Sequence, residues 1–86
     1  MVRTMKWFVY ILKSESYKWY YVGSTNRLNT RLSEHNSGKV LSTKSRKPFK
    51  IVFTKKFASE KEARAYERLL KDKRIEKEKI IREIEK

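Results

Sequence analysis

The chain has 86 residues, room for one domain with one modest hydrophobic core. It contains no cysteine, which excludes a disulfide framework and any thiolate metal site, and no apolar run approaches the ~20 residues of a membrane span. Twenty-three Lys and Arg against 10 Asp and Glu leave a net charge of +13, an imbalance that points to a polyanion, nucleic acid before any other, as the partner.

Met1–Met5 reads as a lead-in. Trp7-Phe8-Val9-Tyr10-Ile11 and Trp19-Tyr20-Tyr21-Val22 then mix aromatic and branched residues, the composition of two half-buried strands, with a polar break at Ser14–Tyr17. A symmetric hairpin about Glu15 and Ser16 would place Tyr10 opposite Tyr21, Leu12 opposite Trp19 and Phe8 opposite Gly23. Ser24, Thr25 and Asn26 are three candidate N-caps for a helix from about Arg27 to Asn36 that stops before Gly38. Leu28 and Leu32 mark its buried stripe. Arg31 and His35, also four apart, form a second row whose side chains can reach solvent.

Lys39–Pro48 (KVLSTKSRKP) reads as a basic loop. Seven cations and no acid fall between Lys39 and Lys56, and Lys39, Lys44, Arg46, Lys47 and Lys50 are candidate contacts to a nucleic-acid backbone. Phe49–Phe57 alternates as a third strand, with Phe49, Ile51 and Phe53 on one face and Lys50, Val52 and Thr54 on the other. Ser59-Glu60-Lys61-Glu62 is a capping box, and the helix it opens runs to about Lys73 with Ala63, Tyr66 and Leu70 on one side. A last helix over about residues 74–86 presents Ile80, Ile81 and Ile84, a face to be covered by its own domain or by a partner protein.

Glu67 interrupts this pattern. On a helical wheel it falls about 40° from Ala63, within the arc shared by Tyr66 and Leu70. A carboxylate on a core-facing stripe needs a basic partner, such as Arg31 or Lys71, or a bound cation, because burying the bare charge costs several kcal/mol. Arg31 reads either as a phosphate contact or as an ordinary helix arginine. His35, the one histidine of the chain, reads as a proton shuttle, as a neutral hydrogen-bonding group beside Tyr21 or a phosphate, or as a helix C-terminal residue facing the dipole. Tyr10 and Tyr21 are core aromatics unless the adjoining Gly23 leaves room for another group. Ser24 and Thr25 serve as phosphate contacts as readily as caps. Trp7, Trp19 and Tyr20 could stack bases where exposed, with at least one tryptophan expected in the core.

Phe8-Val9-Tyr10 followed by Tyr21-Val22-Gly23 and Ser24-Thr25, with Arg31, His35 and Glu67 downstream, resembles the paired signature of the GIY-YIG nuclease domain, over roughly residues 6–73. The resemblance implies that Glu67, in a setting like A-x-x-x-E from Ala63, ligates a catalytic Mg²⁺ or Mn²⁺. It implies that Arg31 stabilises the scissile phosphate, that Tyr21 takes a proton from the attacking water, and that Tyr10 positions that water, with His35 in support. Two departures stand out: Phe8 replaces the leading glycine of the first motif, and no asparagine follows Glu67, whereas many family nucleases carry one late in the chain.

The expected fold is therefore α+β, a single small domain with a three-stranded antiparallel sheet flanked by helices in the order β-β-α-β-α-α. The expected function is a divalent-metal-dependent endonuclease acting on DNA in preference to RNA, structure- or repair-directed because nothing in the chain supplies base readout. The alternative is a non-catalytic module that keeps the fold and its basic face to bind single-stranded DNA or RNA. With no leader and no membrane span, a cytoplasmic location is expected.

Overall fold

The apolar run Val9–Leu12 lies at the middle of the sheet, and the other elements cover both of its faces. In a computed structural model, which describes residues 6–85, β1 (Trp7–Ser14) pairs antiparallel with β2 (Tyr20–Thr25) on one side and with β3 (Phe49–Phe57) on the other. The helices are α1 (Leu28–Asn36), α2 (Glu60–Asp72) and α3 (Arg74–Ile84), with one 3-10 turn at Lys44–Arg46 in the basic loop. The order is β-β-α-β-α-α, as expected. The lead-in Met1–Met5 lies outside the described residues. Among the described residues no helix is long and apolar enough to cross a membrane.

Because β1 is central, its two side-chain rows feed two cores. Val9 and Ile11 are fully buried with Val22, Ala63 and Leu70 under α2, and Ile80 of α3 packs against the same cluster. Tyr10 and Leu12 are buried on the other face with Phe49, beneath Leu28 and Leu32 of α1. Each fully buried branched side chain contributes about 1.5–3 kcal/mol, so the short chain obtains its stability by using both sides of one strand.

Three local expectations are corrected. The β1–β2 register is displaced by two residues: Tyr10 stands opposite Gly23, Leu12 opposite Tyr21 and Phe8 opposite Thr25. A two-residue turn at Glu15-Ser16 would call for residues that accept positive φ, and among the described residues no non-glycine adopts it. The chain makes a longer loop instead. The Ser14 amide donates to the Trp19 carbonyl at 3.0 Å, and the Ser14 hydroxyl accepts from the amides of Ser16 (3.2 Å) and Tyr17 (3.1 Å). A displacement of two preserves the faces, so Tyr10 and Tyr21 remain on one side as diagonal neighbours, ring centroids 6.4 Å apart.

The second correction concerns β3. Ile11 pairs with Phe53 but Leu12 pairs with Ile51, so Val52 is the extra residue of a bulge. Phe49 and Ile51 consequently face α1, while Phe53 and Phe57 face α2. A sheet buried on both faces requires apolar side chains on both, and the bulge supplies them from one run. The third correction concerns α1, which begins at Leu28 with Arg27 as its cap residue and no side-chain cap. Thr25 Oγ1 accepts from the Arg27 amide at 3.0 Å and closes the turn before the helix, while the Ser24 hydroxyl is committed to Glu67. The helix does end before Gly38, whose φ of +81° suits glycine. The Ser59 cap of α2 is present, its hydroxyl accepting from the Glu62 amide at 3.2 Å.

Candidate active site

Gly23 determines how the two tyrosines sit. A Cβ at this position would lie 2.5 Å from Cζ of Tyr10, so the Tyr10 ring occupies the space a side chain would fill. Tyr10 is 2 % exposed and its hydroxyl meets Nε2 of His35 at 3.0 Å. Nδ1 of His35 in turn lies 2.8 Å from the Thr43 hydroxyl, which also faces the Val40 carbonyl at 3.4 Å. If Thr43 donates to that carbonyl, its oxygen accepts Nδ1–H, Nε2 is left as an acceptor and Tyr10 O–H donates to it; this tautomer satisfies every group in the chain.

The electrostatics agree with that assignment. Burial pushes the Tyr10 phenol up to about 12, although the Arg31 guanidinium beside it pulls the other way. Burial, reinforced by Arg31, brings the His35 imidazole down to about 4. At neutral pH both groups are uncharged, a phenol held in place by a neutral imidazole. His35 is therefore not on a solvent-reaching flank: it is fully buried against the rings of Tyr10, Tyr21 and Phe49, with centroids at 5.9, 5.0 and 6.0 Å. Tyr21 is only half-buried and keeps access to the cleft.

Glu67 reaches the same place from the opposite face of the sheet. One carboxylate oxygen accepts from the Ser24 hydroxyl and the other from Lys71 Nζ at 2.7 Å. Of the two basic partners that its position suggested, Lys71 is the one engaged. Arg31 instead pairs with Glu34 at 3.1 Å.

These groups border one cleft of about 350 Å³ at the free edge of β2. Tyr10, Tyr21, Arg31 and Glu67 line it, as do Gly23, Ser24 and Thr25. Helix α1 contributes from one face of the sheet and α2 from the other. The basic loop is elsewhere: Lys39, Lys44, Arg46, Lys47 and Lys50 are absent from the cleft wall. That loop is tied to the hairpin end through Ser14 Oγ donating to the Arg46 carbonyl at 2.6 Å, and the Arg46 guanidinium covers Tyr17 and Trp19 at 5.2 and 5.1 Å. Trp19 packs with the α1-side core, Trp7 borders the cleft under Arg64, and Tyr20 donates to Glu85.

Sequence reasoning missed Arg27 and Arg64, the other two cations of the cleft wall. The signal for Arg64 was available, since it precedes Glu67 by three residues on one helix and so shares its face.

Among the described residues no group of three or more His, Cys, Asp or Glu is placed to enclose a metal ion. The cleft wall carries two carboxylates, Glu34, which is paired with Arg31, and Glu67, and the donor set is Glu67 with the Ser24 hydroxyl beside it. Such a set fits a hard cation that retains several waters and takes further oxygens from a substrate phosphate, the habit of Mg²⁺. It does not suit a metal requiring a closed protein cage.

A sequence profile of the GIY-YIG catalytic domain matches residues 6–79. A UPF0213 protein of Streptococcus pneumoniae serotype 4 is 40% identical over 80 residues, covering 91% of this chain and 80% of its own. The UPF0213 protein YazA of Bacillus subtilis is 36% identical over 63 residues, 72% of this chain and 63% of its own. The solution NMR structure of a UPF0213 protein from Bacillus halodurans superposes with a TM-score of 0.56 at 35% identity, covering 90% of this chain and 83% of that one.

Proposed function

The chain belongs to the GIY-YIG catalytic-domain family, a family of nucleases, and from that premise we propose that it is a divalent-metal-dependent endonuclease hydrolysing phosphodiester bonds of DNA. The observation that supports this reading most is the meeting of Tyr10, Tyr21, Arg31 and Glu67 on one open cleft although they come from four different elements. A core aromatic pair and an ordinary surface arginine would have no reason to converge there.

In this reading Glu67 and the Ser24 hydroxyl would hold the cation, and Lys71, now bonded to one Glu67 oxygen, would release that oxygen to it. When bound, the cation supplies charge neutralisation at the phosphate oxygens and makes water easier to deprotonate. Arg31 presents a planar pair of donors to the same phosphate and stabilises the charge that grows during in-line displacement. Tyr21, half-buried and open to the cleft, relays the proton of the attacking water, taking it up as its own hydroxyl proton passes out to solvent. Tyr10 is unsuited to that task because burial holds it protonated, near 12. It is a fixed hydrogen-bonding group, kept in position by His35. The water oxygen joins phosphorus, the P–O bond opposite it breaks, and the departing alkoxide takes up a proton from solvent.

Structure- or repair-directed cutting fits better than sequence-directed cutting, because the cleft wall offers guanidinium groups and small polar side chains suited to backbone contact. A non-catalytic nucleic-acid module remains the second reading, and one observation favours it: both carboxylate oxygens of Glu67 already have partners. Nicking of plain, branched and flapped DNA, and of the matching RNAs, with Mg²⁺, with Mn²⁺ and with a chelator separates the two. Metal-dependent nicks in DNA support the enzyme; tight binding with no nick under any metal supports the module.

A further inference from the structure

Lys61, Arg64, Arg68 and Lys71 recur along α2 at spacings of three, four and three, which places all four on one helix face. They line one open groove of about 740 Å³ together with Ala65, Glu67 and Asp72. Arg64 and Glu67 border both this groove and the cleft, so the two are continuous. We propose that this face of α2 is a second nucleic-acid contact, a track for the phosphate backbone of one strand running to the cleft. The proposal rests on the nuclease reading of the cleft and adds the path of the substrate.

The dimensions suit it. Lys61 to Lys71 spans about 15 Å of helix. Successive phosphates of one strand lie roughly 6–7 Å apart, about twice the 3.4 Å axial rise, so that is about three consecutive phosphates. The charges are also available. Arg64 pairs with Glu60 at 2.6 Å and Lys71 with Glu67 at 2.7 Å, but among the described residues neither Lys61 nor Arg68 has an ion-pair partner. Two carboxylates, Glu67 and Asp72, share the groove with four cations. Its one apolar lining residue is Ala65, which lets a backbone approach and gives nothing bulky to insert among lipid chains, so a membrane surface is disfavoured. Contacts of this kind position a strand without reading its sequence.

The test is binding of a flapped DNA duplex by the full chain without divalent metal, so that nothing is cut, over about 50 to 200 mM salt. Each phosphate contact removed lowers the slope of log affinity against log salt by about 0.9, so Lys61→Ala with Arg68→Ala should flatten it by about 1.8. Lys79→Ala with Arg82→Ala, on α3, should leave it unchanged. An unchanged slope for the α2 pair would overturn the track, as would a loss confined to Lys44→Ala with Lys47→Ala in the basic loop. Equal dependence on Lys61 and Arg68 for binding vesicles of anionic phospholipid would overturn it too. A flattened slope in a protein that never cuts DNA would sink the nuclease reading and leave the track standing. Absence of any salt-sensitive binding by the wild type would sink both.

Discussion

Gly23 matters because of what lies over it. The Tyr10 ring occupies the position of its missing Cβ, and beneath that ring the hydroxyl joins His35 and then Thr43. Gly23→Ala should therefore displace Tyr10 and break its bond to His35, costing about 1–3 kcal/mol in urea unfolding, the usual toll of overpacking. Wild-type stability would show that the ring adjusts freely. His35 gives a second prediction. Its folded value of about 4 lies below the ordinary 6.5, so between those values the unfolded chain binds more protons. Stability should be fully present above about pH 6.5 and decline by up to about 3 kcal/mol as pH falls through about 4. The groups facing His35 are Tyr10, Tyr21 and Phe49 from the sheet, Thr43 from the basic loop, and Arg31 and Glu34 from its own helix; Arg31 acts in the same direction as burial and Glu34 against it. His35→Gln keeps a hydrogen-bonding side chain and removes the titration, so its stability should depend less on pH between 4 and 7. Parallel pH profiles for the two proteins would contradict this assignment.

At the scale of elements, what could be read from the chain was what is decided locally. The Ser59 cap of α2 and the stop of α1 before Gly38 each depend on a few adjacent residues, and both are present. The β1–β2 register depends on a loop whose hydrogen bonds no symmetry argument could supply, with Ser14 as its organiser. That hydroxyl is fully buried, accepts from two amides and donates to the Arg46 carbonyl, which ties the hairpin to the basic loop. Ser14→Ala should cost about 1–3 kcal/mol by urea unfolding, because it strands buried partners. A loss under about 0.5 kcal/mol, the level of ordinary surface changes, would mean the loop holds without it. The β3 bulge escaped because alternation was followed straight through Phe49–Phe53. An apolar Val52 on the supposed polar face was the available warning.

At the scale of the molecule, the site owes its form to topology. Leaving β2 as an edge strand lets α1 deliver Arg31 from one face and α2 deliver Glu67 from the other, around Gly23–Thr25. The tyrosines, Arg31 and Glu67 were legible because the spacing of the family signature survives in the sequence. Arg27 and Arg64 of the cleft wall were missed because charge was counted along the chain, which draws attention to the loop from Lys39, rather than around the helices and their ends.

The most direct measurement is cleavage and binding of one flapped DNA in parallel, wild type against Glu67→Gln, with Mg²⁺ or Mn²⁺. The wild type should nick the DNA, and the variant should lose at least about a hundredfold in rate, comparable to removing a key transition-state contact, while still binding it. Cleavage that persists in Glu67→Gln would contradict the assignment of this cleft as the site of hydrolysis.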